Sequence, residues 1–567
     1  MKHIKQFSFL FLILLIAACN RKNNDAGIAS EDILINQIGY QANAVKKALI
    51  RIDADEFKIE NLDGEEVFAG KTGAWKYWEL SGDSVRVADF SDLSEPGEYV
   101  LYVNDTSFSY PFKIGSHLYS DLSNAVLKSY YFARCGVDID SIHGGVWHRK
   151  AGHPDTSVVV HVSAADGFRP KGTVISSPGG WYDAGDYGKY VVNSGITTYT
   201  LLLSSELNTE YHQQQNLNIP ESDNRIPDIL DETLVNLKWM LTMQDPNDGG
   251  LYHKLTTKNF VGFVMPTETH EQRYVVQKST AAALDFAATM AHSVKILNSY
   301  ELNDLAEQAQ QSANAAYNWA LRNPEVFYHQ PEDISTGGYG DISLKDEWFW
   351  AAAEMYLLTG NPQYREMMLE KYQKPLTPTW NQVQTLGVIS ILNSEKRNEF
   401  PDMEADFMTH VDNLIAKEET SPYVVSIDKF AWGSNSDVAN DGMLKRIAFG
   451  LSGNEKYLTS AQNDLDYLLG RNATGYSFIT GYGAKSPKHP HQRISSADGV
   501  EAPMPGFLAG GPNISVMNDC NPIEVKRSSY PAKSYIDVEC SYSTNETAIN
   551  WNAPLVFLVS ALDDIDR

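Results

Sequence analysis

The feature that most constrains the fold is a change of apolar period near residue 115. After Ser116 the hydrophobic positions step by three and four: Leu230, Leu234, Leu237 and Leu241; Leu284, Ala287, Ala291 and Val294; Leu305, Ala309, Ala313, Ala316 and Ala320. Trp350, Ala353 and Leu357 continue the pattern, as do Tyr457, Ala461, Leu465 and Leu468, then Leu555, Leu558 and Leu562. Each set lies on one face of an α-helix and predicts one buried stripe. About a dozen such helices in residues 115–567 predict helical hairpins, closed into a barrel or stacked as an open array. Periodicity does not distinguish the two. The connecting loops are long and rich in Gly, Pro, Asn and aromatics, which in a helical body marks functional segments.

Residues 31–114 read differently. Short runs such as Lys47-Ala48-Leu49-Ile50-Arg51-Ile52, Val85-Arg86-Val87-Ala88 and Glu98-Tyr99-Val100-Leu101-Tyr102-Val103 are bounded by Gly, Asp and Pro. Asp63-Gly64 and Pro96-Gly97 are turn signals. This texture predicts a small β-sandwich of immunoglobulin type. It contains no acid pair or metal cluster, so its expected job is structural, with independent binding as the alternative.

Lys2 and Lys5 precede an apolar run from Phe7 to Ala18 that is too short to anchor across a bilayer. Residues 1–18 are therefore expected to be an export signal. Leu15-Ile16-Ala17-Ala18-Cys19 resembles the lipobox of bacterial lipoproteins, which implies that Cys19 is lipidated and becomes the mature N-terminus. A plain secretory signal is the alternative. Residues 19–30 are polar and read as a flexible tether. The expected location is the cell envelope, lipid-anchored to a membrane surface; Asn20 after Cys19 points by the same resemblance to the outer membrane.

Two carboxylates stand three residues apart in Gly179-Gly180-Trp181-Tyr182-Asp183-Ala184-Gly185-Asp186-Tyr187-Gly188-Lys189-Tyr190. The glycines permit tight turns, and Trp181, Tyr182, Tyr187 and Tyr190 offer flat faces for a sugar ring. Acids beside aromatic platforms suggest a neutral, polyhydroxylated substrate; a solvated Asp-Gly turn or a calcium loop is the plain alternative. The net charge of -26 excludes a nucleic-acid backbone as partner and disfavours anionic polysaccharides.

A second constellation is Tyr542-Ser543-Thr544-Asn545-Glu546, at the start of the last predicted helix. Two readings of Glu546 compete. Ser543 with Glu546 fits a capping box, and a Glu in a first helical turn has its pKa lowered by the helix dipole. A general acid needs the opposite, through burial or a neighbouring carboxylate. Further loops carry Phe478-Ile479-Thr480-Gly481-Tyr482-Gly483 with Pro487-Lys488-His489-Pro490-His491-Gln492-Arg493; Trp432-Gly433-Ser434-Asn435-Ser436-Asp437; and Tyr252-His253-Lys254 with Phe260, Phe263 and Pro266.

Taken together and in this order, the Trp181–Tyr187 stretch, Gly481-Tyr482-Gly483, Pro490-His491-Gln492-Arg493 and Tyr542–Glu546 resemble glycoside hydrolase family 9. The likeness is to the branch with an immunoglobulin-like domain ahead of an (α/α)6 barrel. It implies a multidomain chain, an all-β sandwich followed by an all-α (α/α)6 barrel. The implied activity is inverting hydrolysis of β-1,4-glucosidic bonds in cellulose-like or decorated β-glucans, as an endoglucanase. By the resemblance Asp186 is the general base, Asp183 its companion and Glu546 the general acid. His491, Arg493 and Tyr542 line the cleft, and Trp350 and Trp432 are for sugar stacking or core packing. Inversion fits such residues, since it needs a base and an acid on opposite faces of the sugar with water between. The alternatives are an exo-acting family 9 glycosidase, glucosaminidase or cellobiohydrolase-like, and a catalytically dead surface glycan-binding lipoprotein.

The mechanism requires no cofactor. Related enzymes carry a Cys/His zinc site ahead of the acid loop. Here Cys135, His148 and His153 are present, but Gly152 stands where a second cysteine is expected, which puts zinc in doubt. Structural calcium is common in the family, and Asp245-Pro246-Asn247-Asp248-Gly249-Gly250 has oxygen donors, though it also reads as an ordinary turn. Cys520 and Cys540 close a loop short enough for a disulfide, leaving Cys135 free and buried or a metal ligand.

Overall fold

The computed structural model describes residues 29–564 except 105, 522 and 524. Cys19, the export signal and most of the tether lie outside the described residues. Two sheets form the N-terminal sandwich. One orders Ile33–Leu34, Lys47–Ile50, Asp83–Asp89 and Lys76–Trp78; the other orders Gly39–Gln41, Phe112–Gly115, Gly97–Val103, Glu56–Asn61 and Glu66–Lys71. Alternation along each strand decides what is buried where. Ala48, Ile50 and Ala88 turn into the sandwich core with Tyr40, Phe90 and Phe112. Leu49, Val85 and Trp78 point the other way, into a core shared with the helical domain.

That shared core makes the two domains one packed body. The Trp78 ring lies 4.6 Å from that of Tyr423. Asp83 accepts from the Tyr423 hydroxyl at 3.1 Å and from Lys533 at 2.6 Å. Deeper in, Asn36 Nδ2 donates to Asp466 at 2.9 Å and the Tyr119 hydroxyl to the Gly39 carbonyl at 2.8 Å. Such buried pairs hold a fixed geometry because an unmade polar contact there costs about 1–3 kcal/mol.

Six long helices form an inner ring: Val191–Leu207, Thr280–Ser299, Lys345–Thr359, Gln384–Leu392, Ser434–Ser452 and Ile549–Asp563. Each follows one outer helix in the chain: Ser120–Ala133, Asp228–Thr242, Asn303–Arg322, Pro362–Lys371, Pro401–Thr420 and Glu455–Leu468. The ring closes by packing of Ile549–Asp563 on both Val191–Leu207 and Ser434–Ser452. This is the (α/α)6 barrel, and it settles the barrel-or-array alternative. The outer helices carry the one-sided stripe the sequence predicts, with Ala309, Ala313, Ala316 and Ala320 buried. The inner helices are buried on nearly every face, as helices enclosed by neighbours must be.

One element was not legible as secondary structure. Five short strands in the long loops form a sheet in the order Val174–Ile175, Val158–Val160, Tyr274–Val275, Lys254–Thr256 and Lys189–Tyr190. The last pairing, Tyr190 opposite Lys254, ties the acid loop to the Tyr252-His253-Lys254 stretch.

Candidate active site

The four loops that bear the motif residues all precede inner helices, so they converge at one end of the barrel. There the positive ends of the helix dipoles face the loops, and loop carbonyls take up the first amides, as His253 does for Val191 at 3.0 Å. The acid loop is built on tight backbone approaches. A Cβ on Gly185 would fall 2.2 Å from the His491 carbonyl oxygen and 3.1 Å from Glu546 Oε1, so only glycine fits between them. The Ile549 amide donates to the Asp183 carbonyl at 2.8 Å, and Arg493 holds the Gly185 carbonyl through Nη1 at 2.6 Å. The two distant acid motifs are thereby joined, with Glu546 against the Asp183–Asp186 turn.

Asp183 is 1% exposed. Its carboxylate accepts from Asn193 Nδ2 at 3.0 and 3.1 Å and from the Tyr339 hydroxyl at 3.0 Å. Burial, then the Asp186 charge, pushes it up to about 8 against these donors. Burial and the Asp186 charge thus favour the protonated form of Asp183, while the donors Asn193 and Tyr339 favour the charged one. Asp186 Oδ2 accepts from the Gly188 amide and the Tyr190 hydroxyl, both at 3.0 Å. Glu546 is hemmed in by protein yet keeps part of its surface open. Burial, Asp186 and Asp183 raise its pKa well above the usual carboxylate range, outweighing Arg493 and the Gly185 amide.

The capping-box reading of Ser543 and Glu546 is overturned. Glu546 ends the short helix Tyr542–Asn545, three residues before Ile549–Asp563 begins. Ser543 Oγ instead bonds Asp519 at 2.6 Å and Arg527 at 2.8 Å. The dipole argument thus does not apply, and neighbouring charge and burial decide the pKa.

Among the aromatic candidates, Trp432 is 45% exposed, with its ring 5.4 Å from that of half-buried Tyr542. Tyr542 in turn lies 5.9 Å from His491. His491 Nδ1 is 2.6 Å from the Glu539 carbonyl, so that nitrogen carries the proton and donates. Arg493 is 6% exposed and holds loop carbonyls of Gly185 and Val261; it shapes the acid loop rather than offering a free fork. Trp181 and Trp350 are fully buried, Trp181 against Tyr130 and Trp350 against Tyr199. Tyr182 is 3% exposed, its hydroxyl on His153. For Trp181 and Tyr182 sugar stacking is corrected to core packing, and Trp350 takes the second of its two expected roles, core packing: the helix and loop around them close over the ring faces.

Tyr187 and Tyr190, expected as stacking faces, are buried instead, and Tyr190 serves as a donor to Asp186; sequence reasoning missed Asn193, Tyr339 and Trp380. Trp380 lies 5.2 Å from the Tyr339 ring and extends the aromatic lining. Tyr339 adopts φ 54, a left-handed conformation that costs a bulky residue free energy. The loop is held there by neighbours: His253 Nε2 bonds the carbonyls of Gly338 and Tyr339, and Lys254 Nζ donates to Gly337 at 2.5 Å. Gly337-Gly338-Tyr339-Gly340 repeats the glycine-plus-aromatic signal of the acid loop, and that was the clue available.

A zinc ion does not fit near Cys135. Asp155 there pairs with Lys189 at 2.7 Å and Arg273 at 2.9 Å, so two cations already occupy the neighbourhood. Both nitrogens of His153 are committed, to Tyr182 and Thr269. A side chain at Gly152 would meet Pro266 at 2.4 Å. His148 is exposed. Cys520 and Cys540 form a disulfide, and Cys135 is a free, buried thiol. The Asp245–Gly250 turn is not an open calcium loop either, since Lys278 lies 2.8 Å from Asp245 and 2.9 Å from Asp248.

Residues 119–559 match the family model described as Glycosyl hydrolase family 9, and residues 29–107 match the one described as Cellulase N-terminal ig-like domain. The chain is 43% identical over 585 residues to a xyloglucan-specific endo-beta-1,4-glucanase, BoGH9A, of Bacteroides ovatus, covering 99% of this chain and 98% of that protein. It is 32% identical to endoglucanase D of Acetivibrio thermocellus, over 93% of this chain and 83% of that one. Among solved structures, Bacteroides ovatus GH9 superposes with TM-score 0.88 at 42% identity, covering 94% of this chain and 99% of that one.

Proposed function

The chain belongs to glycosyl hydrolase family 9 and is a glycoside hydrolase of the endo-β-1,4-glucanase class, and on that premise we propose which residues carry the reaction and which glucan they meet. Asp186 takes a proton from the attacking water. Asp183, whose burial beside Asp186 disfavours a second adjacent charge, orients that water. Glu546 gives its proton to the departing glycosidic oxygen. The observation that carries this is the placement of Glu546: a carboxyl crowded by two others keeps its proton until the leaving oxygen needs it. Displacement from the face opposite the leaving group inverts the anomeric carbon.

The substrate we propose is a decorated β-1,4-glucan of the xyloglucan type, supported by the 43% identity to a xyloglucan-specific enzyme over nearly the full chain. Trp432, Tyr542 and Trp380 supply the stacking faces. The test is to incubate the protein with xyloglucan, barley β-glucan and carboxymethylcellulose, assay reducing ends and follow the first anomer by NMR. Xyloglucan cleavage into large fragments with the α-anomer appearing first is expected. Release of monosaccharide or disaccharide alone favours exo action, and binding without release favours the dead-site reading.

For the structural cation we propose the buried acids Asp285, Asp346 and Glu347 with part-buried Asp341. No N–H or hydroxyl donor reaches either oxygen of Asp285 or Glu347; Glu347 meets only the carboxyls of Asp346 and Asp341. An all-oxygen, uncompensated set suits a hard cation such as calcium, which would help neutralise the cluster. Among the described residues no three acidic, His or Cys side chains stand in ligand geometry, so the four acids would have to draw together around the ion. The export signal and lipidation at Cys19 remain part of this reading; Cys19→Ala should release the protein from membranes. Among the described residues no helix is long and apolar enough to cross one.

A further inference from the structure

The segment that carries Tyr542 and Glu546 is clamped from outside the barrel. Asp519 immediately precedes Cys520, whose disulfide to Cys540 brings the two Cα atoms to 5.3 Å. Across that link Asp519 Oδ2 accepts three hydrogen bonds: from Ser541 Oγ at 3.0 Å, the Ser543 amide at 3.0 Å and Ser543 Oγ at 2.6 Å. The helix Tyr542–Asn545 has no side-chain cap of its own, so the amide of Ser543 is satisfied by a residue from a different loop. Arg527 closes the arrangement. Its Nη1 donates to Ser543 Oγ at 2.8 Å, its Nη2 lies 3.5 Å from Asp519 Oδ1, and it also donates to the Val516 carbonyl. The side chains of Arg527 and Asp519 are 3% and 1% exposed.

We infer that Asp519 is a positioning residue for the general acid: through Ser541 and Ser543 it fixes the four-residue helix whose end sets where Glu546 points and whose first residue is Tyr542. The inference rests on the reading of Glu546 as the acid. The chemistry gives Asp519 a specific consequence. A displaced or better-hydrated Glu546 protonates the leaving oxygen less well, and that matters only when the leaving group is a poor one. A dinitrophenolate leaves without help, whereas a sugar hydroxyl does not.

The experiment measures kcat and KM for the full protein and for Asp519→Asn, Ser543→Ala and Glu546→Gln, on xyloglucan and on a dinitrophenyl β-cello-oligosaccharide. For Asp519→Asn we expect kcat on the polymer to fall at least ~10-fold while the aryl substrate loses less than ~3-fold. The basic limb of the pH profile on the polymer moves to lower pH, because water entering around Glu546 favours its charged form. Ser543→Ala shows the same signature in smaller measure and carries the test if Asp519→Asn does not fold. Equal losses on both substrates with the limb unmoved, or no loss, overturn the inference and leave Asp519 a purely structural residue. Glu546→Gln separates the two readings. If it lacks the leaving-group signature, the acid assignment falls and this inference with it. If it shows the signature and the Asp519 and Ser543 variants do not, the acid stands and the inference alone fails.

Discussion

The hydroxyl of Tyr339 lies 3.0 Å from Oδ2 of Asp183, a residue 156 positions away. Tyr339 is held at φ 54 by bonds from His253 and Lys254 to the Gly337–Tyr339 backbone. The strain is tolerated because the surrounding contacts over-determine the loop, and it delivers a donor to the companion acid. Tyr339→Phe keeps the ring and removes the donor. A hydrogen bond of this kind is worth about 1–1.5 kcal/mol, so kcat should fall roughly tenfold with little change in melting temperature. An unchanged kcat would show that the hydroxyl plays no part.

Removing the assigned groups themselves should have larger effects. Asp186→Ala and Glu546→Gln are each expected to lower kcat by roughly 10²–10⁴ on polymeric glucan while the circular dichroism spectrum stays native. Full activity in either variant removes that residue's role.

Exposure separates the tryptophans. Trp432→Ala should raise KM on polymer by about tenfold with kcat changed less than about threefold, because it removes binding shared by ground and transition states. Trp350→Ala should instead cost about 3–5 kcal/mol of stability, read from denaturant midpoints, with KM of the folded fraction unaltered.

Stability should fall as pH rises from 6.5 to 8, above the range in which His153, His212 and His253, held neutral by burial, act in the opposite direction. The sign follows from the acids. Asp183 is pushed up to about 8 and Asp341 to about 7, by burial first, so the folded chain keeps protons that the unfolded chain releases near pH 4. Each proton retained only in the folded state makes unfolding easier as pH rises through that window. Thermal melts at pH 6.5, 7, 7.5 and 8 check this; a flat or rising melting temperature contradicts it.

The acid cluster adds a metal dependence with its own sign. Burial raises the pKa of Asp285, Asp341, Asp346 and Glu347, with neighbouring carboxylates adding to it for all but Asp346, so a cation that needs them charged competes better with protons as pH rises. Calcium should therefore raise the melting temperature at pH 8 more than at pH 5, and EGTA should reverse it. Glu347→Gln should abolish the calcium response. Equal melts with calcium and EGTA at pH 8 would remove the proposed cation.

The amino-acid sequence by itself determined what depends on neighbours along the chain. The switch from period two to steps of three and four near residue 115 set the two fold types. The glycines around Asp183 and Asp186 marked a turn that only small residues allow, and the order of the motifs identified the family. Tertiary structure alone decided what depends on distance and solvent. It enclosed Trp181 and Trp350 and left Trp432 open, though all three are the same residue. It brought Asn193 and Tyr339 to Asp183, placed Lys189 and Arg273 on Asp155 beside Cys135, and gave Ser543 to Asp519 instead of a helix cap. It also decided the direction of the Glu546 pKa shift, since burial and opposing charge are properties of a place in three dimensions, and a linear string of residues fixes neither.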